Sequence, residues 1–514
     1  MNGMRASGCA AVLGLWLMPL AAAAQSSHCD MGGAGYVDPA FLEKPTTLQD
    51  GIGKVSQKIK TRSPEAQAFY DQGLAYLDSY VFLEAARSFH QALRHDPDCA
   101  MAWMGLARAE EGLERHAAAQ TAIARAQALS ARATEKEKRF VALRAEQLAA
   151  VAAPNPEEER RRHGAYKESL DRALREFPQD AELWIWRGNA EEPGPWGRGQ
   201  FGEAASIPFY AEALARSPGH FGAIHFLVHS YENIGQPAKA AEFGKRYAAA
   251  APRVAHAQHM YGHVLPRLGR WEEALAQFEK ADAIEERYAR DEKLRPGDDW
   301  HHAHNLQLLG YTYLRLGRVN EAEKTFRRLA ATPIPDPMRE WQHASLAEFL
   351  LLTGRASEAL AVAGKMESGS PSARVAGGAV SAEALLALGR LPEAKEAAAR
   401  AARAHEEKGK LGTQDALRFE GTVGHFDAQA QAEVALAGPN PEDGEKALLE
   451  LADDLAANSR FDAWGEGLFR IERMAQAAGR AGRQELARQL RERAHKIDPA
   501  FSWNASTAAK TASR

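Results

Sequence analysis

The chain has 514 residues, 45% of them hydrophobic and 26% charged, with a formal charge of −4. So mild a charge gives no reason to expect nucleic acid or an anionic membrane as partner. One compact core seldom organises this length, so the chain either divides into domains or grows by adding repeats.

Residues 1–24 come first: Arg5 precedes an apolar run from Cys9 to Leu20, followed by the small residues Ala22-Ala23-Ala24. That order predicts a secretory signal peptide cut before Gln25, and hence a periplasmic or secreted product. Cys9 lies before most of the apolar run and lacks a small-residue context, so lipoprotein processing is not expected. The run is too short to span a bilayer and no later stretch approaches 18 consecutive apolar residues, which predicts no transmembrane anchor. Cys29 and Cys99 remain after processing. An oxidising compartment permits them to pair; alternatively Cys29 is a free thiol, or a soft metal ligand beside His28. Residues 25–63 have no strong period and read as an extended N-terminal segment.

Helical periodicity begins at Pro64. Phe69, Gly73, Tyr76, Ala85, Phe89, Ala92 and Pro97 form one ordered set. Leu306, Leu309, Gly310, Tyr313, Gly317, Ala322 and Phe326 form another, and Gly262, Gly269, Ala274, Phe278 and Ala281 a third. Small residues at these places let two helices approach closely while the aromatics fill the space between them. Weaker copies begin near Ala100, Ala181, Phe221, Glu340 and Val375, which predicts about eight helical hairpins between Pro64 and His405. The predicted organisation is N-terminal and central repeats over 64–285, further repeats over 286–405, a C-terminal helical cap over 406–502 and a disordered tail over 503–514. Leu129 to Val151 and Glu157 to Phe177 read as longer helices, separated by Ala153-Pro154-Asn155-Pro156, where two prolines stop a helix. The segment from Glu191 to Gly202 contains a GxGxxG string at Gly197, Gly199 and Gly202. No strand precedes it, so a loop folded over the concave face is expected instead of a nucleotide site.

This spacing resembles the tetratricopeptide repeat. Asp71-Gln72-Gly73-Leu74, Ser88-Phe89 and Asp96-Pro97-Asp98-Cys99-Ala100-Met101-Ala102-Trp103 look like the first repeats of exported bacterial tetratricopeptide proteins. His220-Phe221-Gly222-Ala223-Ile224-His225 and His259-Met260-Tyr261-Gly262-His263 look like the central repeats of a set rich in histidine. The resemblance covers roughly residues 64–335. It implies an all-α, right-handed superhelical solenoid that recognises a protein or peptide in its concave groove, and it supplies no catalytic residue.

Of 18 histidines, ten lie between His220 and His343. His225 and His229 are four apart on one predicted helix and His259 and His263 are four apart on another, so each pair shares a helix face. The pairs are offset by 34 residues, one repeat, and so occupy equivalent places; His256 and His304 take the second place of their own repeats. The family resemblance places these positions on the groove face. Imidazoles reaching from neighbouring helices can meet at one ion, which makes His225, His229, His259 and His263 a candidate four-nitrogen site for Zn, Cu or Ni. His256, His301, His302, His304 and Glu232 are further candidate ligands, with Asp298 and Asp299 nearby, and a site of two metals is open. A closed shell favours a binding or storage role. A three-histidine shell with an open position favours a metal-dependent enzyme using Glu232 or Glu192 as base. Solvated groove histidines would leave a metal-free peptide-binding scaffold. HExxH, GxSxG, Walker and CxxCH motifs are absent, so no catalytic residue and no organic cofactor is assigned. Trp184, Trp186 and Trp196 are expected to fill core. Intact mass and N-terminal sequencing of protein exported by its native host should give a mature chain beginning at Gln25; retention of Arg5 would refute the export reading.

Overall fold

Phe89 shows why the repeat signature folds as it does. Its ring is fully buried, and a Cβ added at Gly73 or Gly105 would lie 2.6 or 2.4 Å from it. One aromatic from a second helix therefore wedges between the first helices of successive hairpins, and only glycine leaves room. Phe326 repeats the arrangement, at 2.5 Å from a Cβ on Gly310.

The structure, a computed structural model, describes residues 37–295, 297–411, 419–457 and 464–503. The expected signal peptide, Cys29 and residues 504–514 lie outside them. Every regular element among the described residues is helical. A single-turn α1 (Pro39–Leu42) precedes nine helix pairs. These are α2 and α3 (Pro64–Leu77, Phe82–His95), α4 and α5 (Ala100–Gly112, His116–Leu129), and α6 and α7 (Glu135–Val151, Pro156–Glu176). There follow α8 and α9 (Ala181–Asn189, Ile207–Arg216), α10 and α11 (Phe221–Asn233, Pro237–Ala250), and α12 and α13 (Ala255–Val264, Trp271–Glu292). The last three are α14 and α15 (Trp300–Arg315, Val319–Ala331), α16 and α17 (Ala344–Leu352, Ala356–Lys365), and α18 and α19 (Pro371–Ala387, Leu391–Gly409). Then come α20 (Glu420–Leu436), α21 (Pro441–Ala457), α22 (Glu466–Arg480) and α23 (Gln484–Ile497).

The pair beyond the eight read from the sequence is α6–α7, whose long helices lack the repeat spacing. The helix read from Leu129 is broken by a 3-10 turn over Ser130–Arg132. Thr134 then starts α6 through a reciprocal capping box with Glu137, which satisfies two backbone donors that a helix start leaves open.

Three segments cover the first helices of the pairs. Gly51 accepts a backbone hydrogen bond from Arg253 at 2.8 Å, and Gly53 is so close to Phe221 that a Cβ would lie 2.8 Å from the ring; these contacts dock the N-terminal segment on the central repeats. The Glu191–Gly202 loop is tied down by Asn233, which donates to the Gln200 and Gly202 carbonyls at 2.9 Å. On the C-terminal side, Arg473 of α22 reaches Glu348 of α16 at 2.7 Å and Glu383 of α18 at 3.0 Å, with all three side chains buried. The C-terminal helices thus pack across the repeats as well as ending them. Trp464, just before α22, sits in the central core beside His263, Trp271 and Phe278.

Replacing Phe89 by Ala should remove about 3–5 kcal/mol of stability, because the glycines on either side cannot fill the space. Urea unfolding followed by circular dichroism checks this, with the exposed Lys239→Ala as a control that should move the midpoint little.

Candidate metal centre

The central histidines occupy the first helices α10, α12 and α14. His225 and His229 lie one turn apart on α10, and His256 stands in the first turn of α12. All three are buried, His225 completely. Their Nε2 atoms converge: His225 Nε2 is 3.0 Å from His229 Nε2 and 3.1 Å from His256 Nε2. Two nitrogens bound to one tetrahedral zinc at ~2.0–2.1 Å lie ~3.3 Å apart, so this spacing is nearly that of ligands around an ion.

The tautomer of His225 makes the convergence chemically specific. Its Nδ1 lies 2.6 Å from the Asp78 backbone carbonyl, an acceptor, so Nδ1 carries the proton and Nε2 presents a lone pair. One in-plane lone pair satisfies one N–H donor well, yet two imidazole nitrogens crowd it. A cation accepting three lone pairs resolves that conflict. His256 Nδ1, also buried, has no hydrogen-bond partner among the described residues.

Aromatic rings hold the triad in place. The His225 ring stacks on Tyr247 at 4.5 Å and meets Tyr80 edge-on at 4.7 Å; Tyr80 is also 5.0 Å from His256 and 5.9 Å from His229. Tyr80 has a φ of +59°, a backbone region costly for a bulky residue. Its hydroxyl donates to the Arg198 carbonyl at 2.8 Å and Tyr247 donates to Ser79 Oγ at 2.9 Å, so contacts at both ends of this turn fix the geometry.

A second triad lies one repeat further. His259 and His263 on α12 and His304 on α14 bring ligand nitrogens into one group, all buried. The quartet read from the sequence therefore divides: each i,i+4 pair takes its third histidine from the following first helix. His301 lies between the triads, with its ring 5.1 Å from His256 and 4.6 Å from His259, and its Nδ1 pairs with Glu285. His302 turns elsewhere and meets Asp282 at 2.9 Å. Glu232 stands behind His263, whose Nδ1 it meets at 2.6 Å, and it also pairs with Arg267; it is a positioning residue rather than a free base. Glu192 is likewise occupied, accepting the Arg198 and Phe201 amides at 3.0 and 2.8 Å, and burial pushes its carboxyl up to about 7. Asp299 caps α14 and Asp298 pairs with Arg295. His220 caps α10 and meets Glu182 at 2.9 Å, while His343 contacts the Thr332 carbonyl. Of the three tryptophans expected in core, Trp186 is buried against Phe140 and Arg144, whereas Trp184 and Trp196 are only half-buried.

The alternative of solvated groove histidines does not hold, because the rings of both triads are buried. Tyr80, the Glu191–Gly202 loop and the N- and C-terminal segments shut the histidine face away from solvent. A cavity of about 330 Å³ still approaches it, running from the exposed Arg253, Arg287 and Asp291 to the buried Glu285, His256 and His301. Asp78, Tyr80, Asn305 and Glu285 have no spacing signal in the sequence, because their roles come from contacts between distant segments.

These features define a helical-repeat protein with a histidine-built interior. Models of the tetratricopeptide repeat match residues 70–134 and 303–331, so the chain carries tetratricopeptide repeats there. Among solved structures, a tetratricopeptide repeat protein from Parabacteroides merdae is 16% identical, covering 56% of this chain and 99% of its own at a TM-score of 0.37. Yeast Tom70 is 12% identical, covering 86% of this chain and 92% of its own, also at 0.37. None of the curated proteins compared with the chain matches it.

Burial holds His225 down to about 3 and His301 to about 4, and pushes His229, His256 and His259 well below the ordinary histidine range. At these five rings the unfolded chain binds more protons than the folded one between about pH 6.5 and 4, so the stability they contribute rises with pH there and is lost on acidification. In metal-free protein His225→Gln should therefore make the slope of the urea midpoint against pH between about 6.5 and 4.5 less positive than in wild type. An unchanged slope would show that His225 does not fold as a neutral buried ring.

Proposed function

We propose that the protein is an exported tetratricopeptide-repeat binding protein that holds a transition-metal ion on His225, His229 and His256. The observation that carries this is the convergence of three buried Nε2 atoms on one point, with the Asp78 carbonyl fixing the His225 tautomer. An anchored Nδ1–H with a free Nε2 lone pair is how metal-binding histidines are usually prepared, and neutral imidazole suits Zn, Cu and Ni. Export rests on residues 1–24 alone, which also underlie a periplasmic or secreted location. No helix among the described residues is long and apolar enough to cross a membrane. Tetratricopeptide repeats are generally protein-binding modules, so a protein or peptide partner on the solenoid is part of this reading.

The cavity favours a second reading as a metal-dependent enzyme. Three protein ligands leave a coordination position, His256 lies on the cavity wall, and a volume of about 330 Å³ is that of a small-molecule site.

Protein exported without a histidine tag and supplied with Zn, Cu or Ni should carry a transition metal by elemental analysis. His225→Ala should lose at least one equivalent, while His302→Ala, at a residue outside the triads, should lose none. In the cobalt-substituted protein, azide should shift the visible bands if the centre has an open position and leave them unchanged if its shell is closed. A metal-free wild type after supplementation would overturn the metal reading and leave the peptide scaffold.

A further inference from the structure

We infer that His259, His263 and His304 hold a second transition-metal ion, beside the first and sharing no ligand with it. The two triads are the same construction moved along the solenoid by one hairpin. In each, a first helix supplies histidines four residues apart, and the next first helix supplies one from near its start: His256 of α12 for the first triad, His304 of α14 for the second. Stacked repeats place equivalent positions in equivalent surroundings, so an arrangement that gathers three nitrogens in one repeat gathers them again in the next.

The hydrogen bonds of the second triad prepare its rings as ligands. The Asn305 side-chain amide donates to the Phe278 carbonyl at 3.1 Å, which turns its Oδ1 toward His259 Nδ1 at 3.0 Å. His259 Nδ1 is therefore the protonated nitrogen, and Nε2 carries the lone pair. That Nε2 is buried and has no hydrogen-bond partner among the described residues, in a ring with no exposed surface. A lone pair stranded in this way costs free energy unless something accepts it. His263 Nδ1 faces Glu232 at 2.6 Å, and a carboxylate there accepts the Nδ1 proton, directs Nε2 inward and makes the ring a stronger donor. His304 completes the group, its ring 4.9 Å from that of His259 and fully buried.

The backing of the two triads differs. A backbone carbonyl backs the first, while a side-chain amide and a carboxylate back the second. The His256 and His259 rings, 6.1 Å apart, form the boundary, with His301 against both. All-imidazole ligation selects borderline divalent ions and disfavours Mg and Ca, which require oxygen ligands.

The test is a zinc titration of metal-free, untagged protein against a competing chelator, with bound zinc confirmed by elemental analysis. Wild type should bind two equivalents, His259→Ala one, His225→Ala one, and the double variant none, with helicity retained throughout by circular dichroism. Asn305→Leu, which keeps all six ligands, should weaken one equivalent by ~10–100-fold and leave the other unchanged; it decides the matter if His259→Ala fails to fold. One equivalent in wild type, lost in His225→Ala and kept in His259→Ala, would overturn the second site and leave the first standing. One equivalent with the opposite pattern would support the second site and remove the first. Loss of both ions in either single variant would overturn the independence of the sites, and no zinc in wild type would overturn both.

Discussion

The hydrogen bond from His225 Nδ1 to the Asp78 carbonyl spans 147 positions of sequence, and the chemistry of the first triad depends on it. It decides which nitrogen of His225 carries the proton, and thereby whether the inner face of the triad presents a lone pair or a donor. It also ties the turn after α2, with Asp78, Ser79 and Tyr80, to the first helix of a repeat far along the chain. Tyr80 then contacts all three rings of the triad in a backbone conformation that only the surrounding packing sustains.

Enclosure follows from the same long-range contacts. The resemblance to tetratricopeptide repeats placed His225, His229, His259 and His263 on the groove face of the first helices. In this protein the N-terminal segment, the Glu191–Gly202 loop and the C-terminal helices lie on that face. Arg473 of α22, paired with the buried Glu348 of α16 and Glu383 of α18, is part of that cover. The two triads are consequently buried. Burial holds His225, His229, His256, His259 and His301 below the ordinary histidine range and leaves neutral rings whose remaining lone pairs call for a cation. The cavity beside His256 and His301 is the approach to this interior that the lining residues define.

The repeat was legible because its cause is local. Gly73 and Phe89 stand at the repeat's fixed spacing, and that spacing is what lets one ring fill the gap between neighbouring helices, where the structure adds Gly105 on the far side. The i,i+4 histidine pairs were legible for the same reason, since a helix puts them on one face. Their grouping was not. Helical periodicity places His225 and His229 together, but whether they meet His259 and His263 or His256 depends on how far neighbouring first helices are offset along their axes, and no residue in either helix encodes that alone. The α6–α7 pair escaped counting as a repeat because its long helices lack the glycine and aromatic spacing, although they pack as a pair in the same stack.

By itself, then, the sequence determined an all-helical repeat and the equivalence of histidines one repeat apart, since both are consequences of backbone period and side-chain volume. It also carried the candidate ligands, because His225, His229, His259, His263, His256, His304 and Glu232 all stand out by position. Tertiary structure alone decided their partition into two triads, the backing of each ring by Asp78, Asn305 or Glu232, and the covering of the histidine face. Those are outcomes of contacts between segments separated by tens to hundreds of residues, where geometry in space, rather than order along the chain, sets which lone pairs meet.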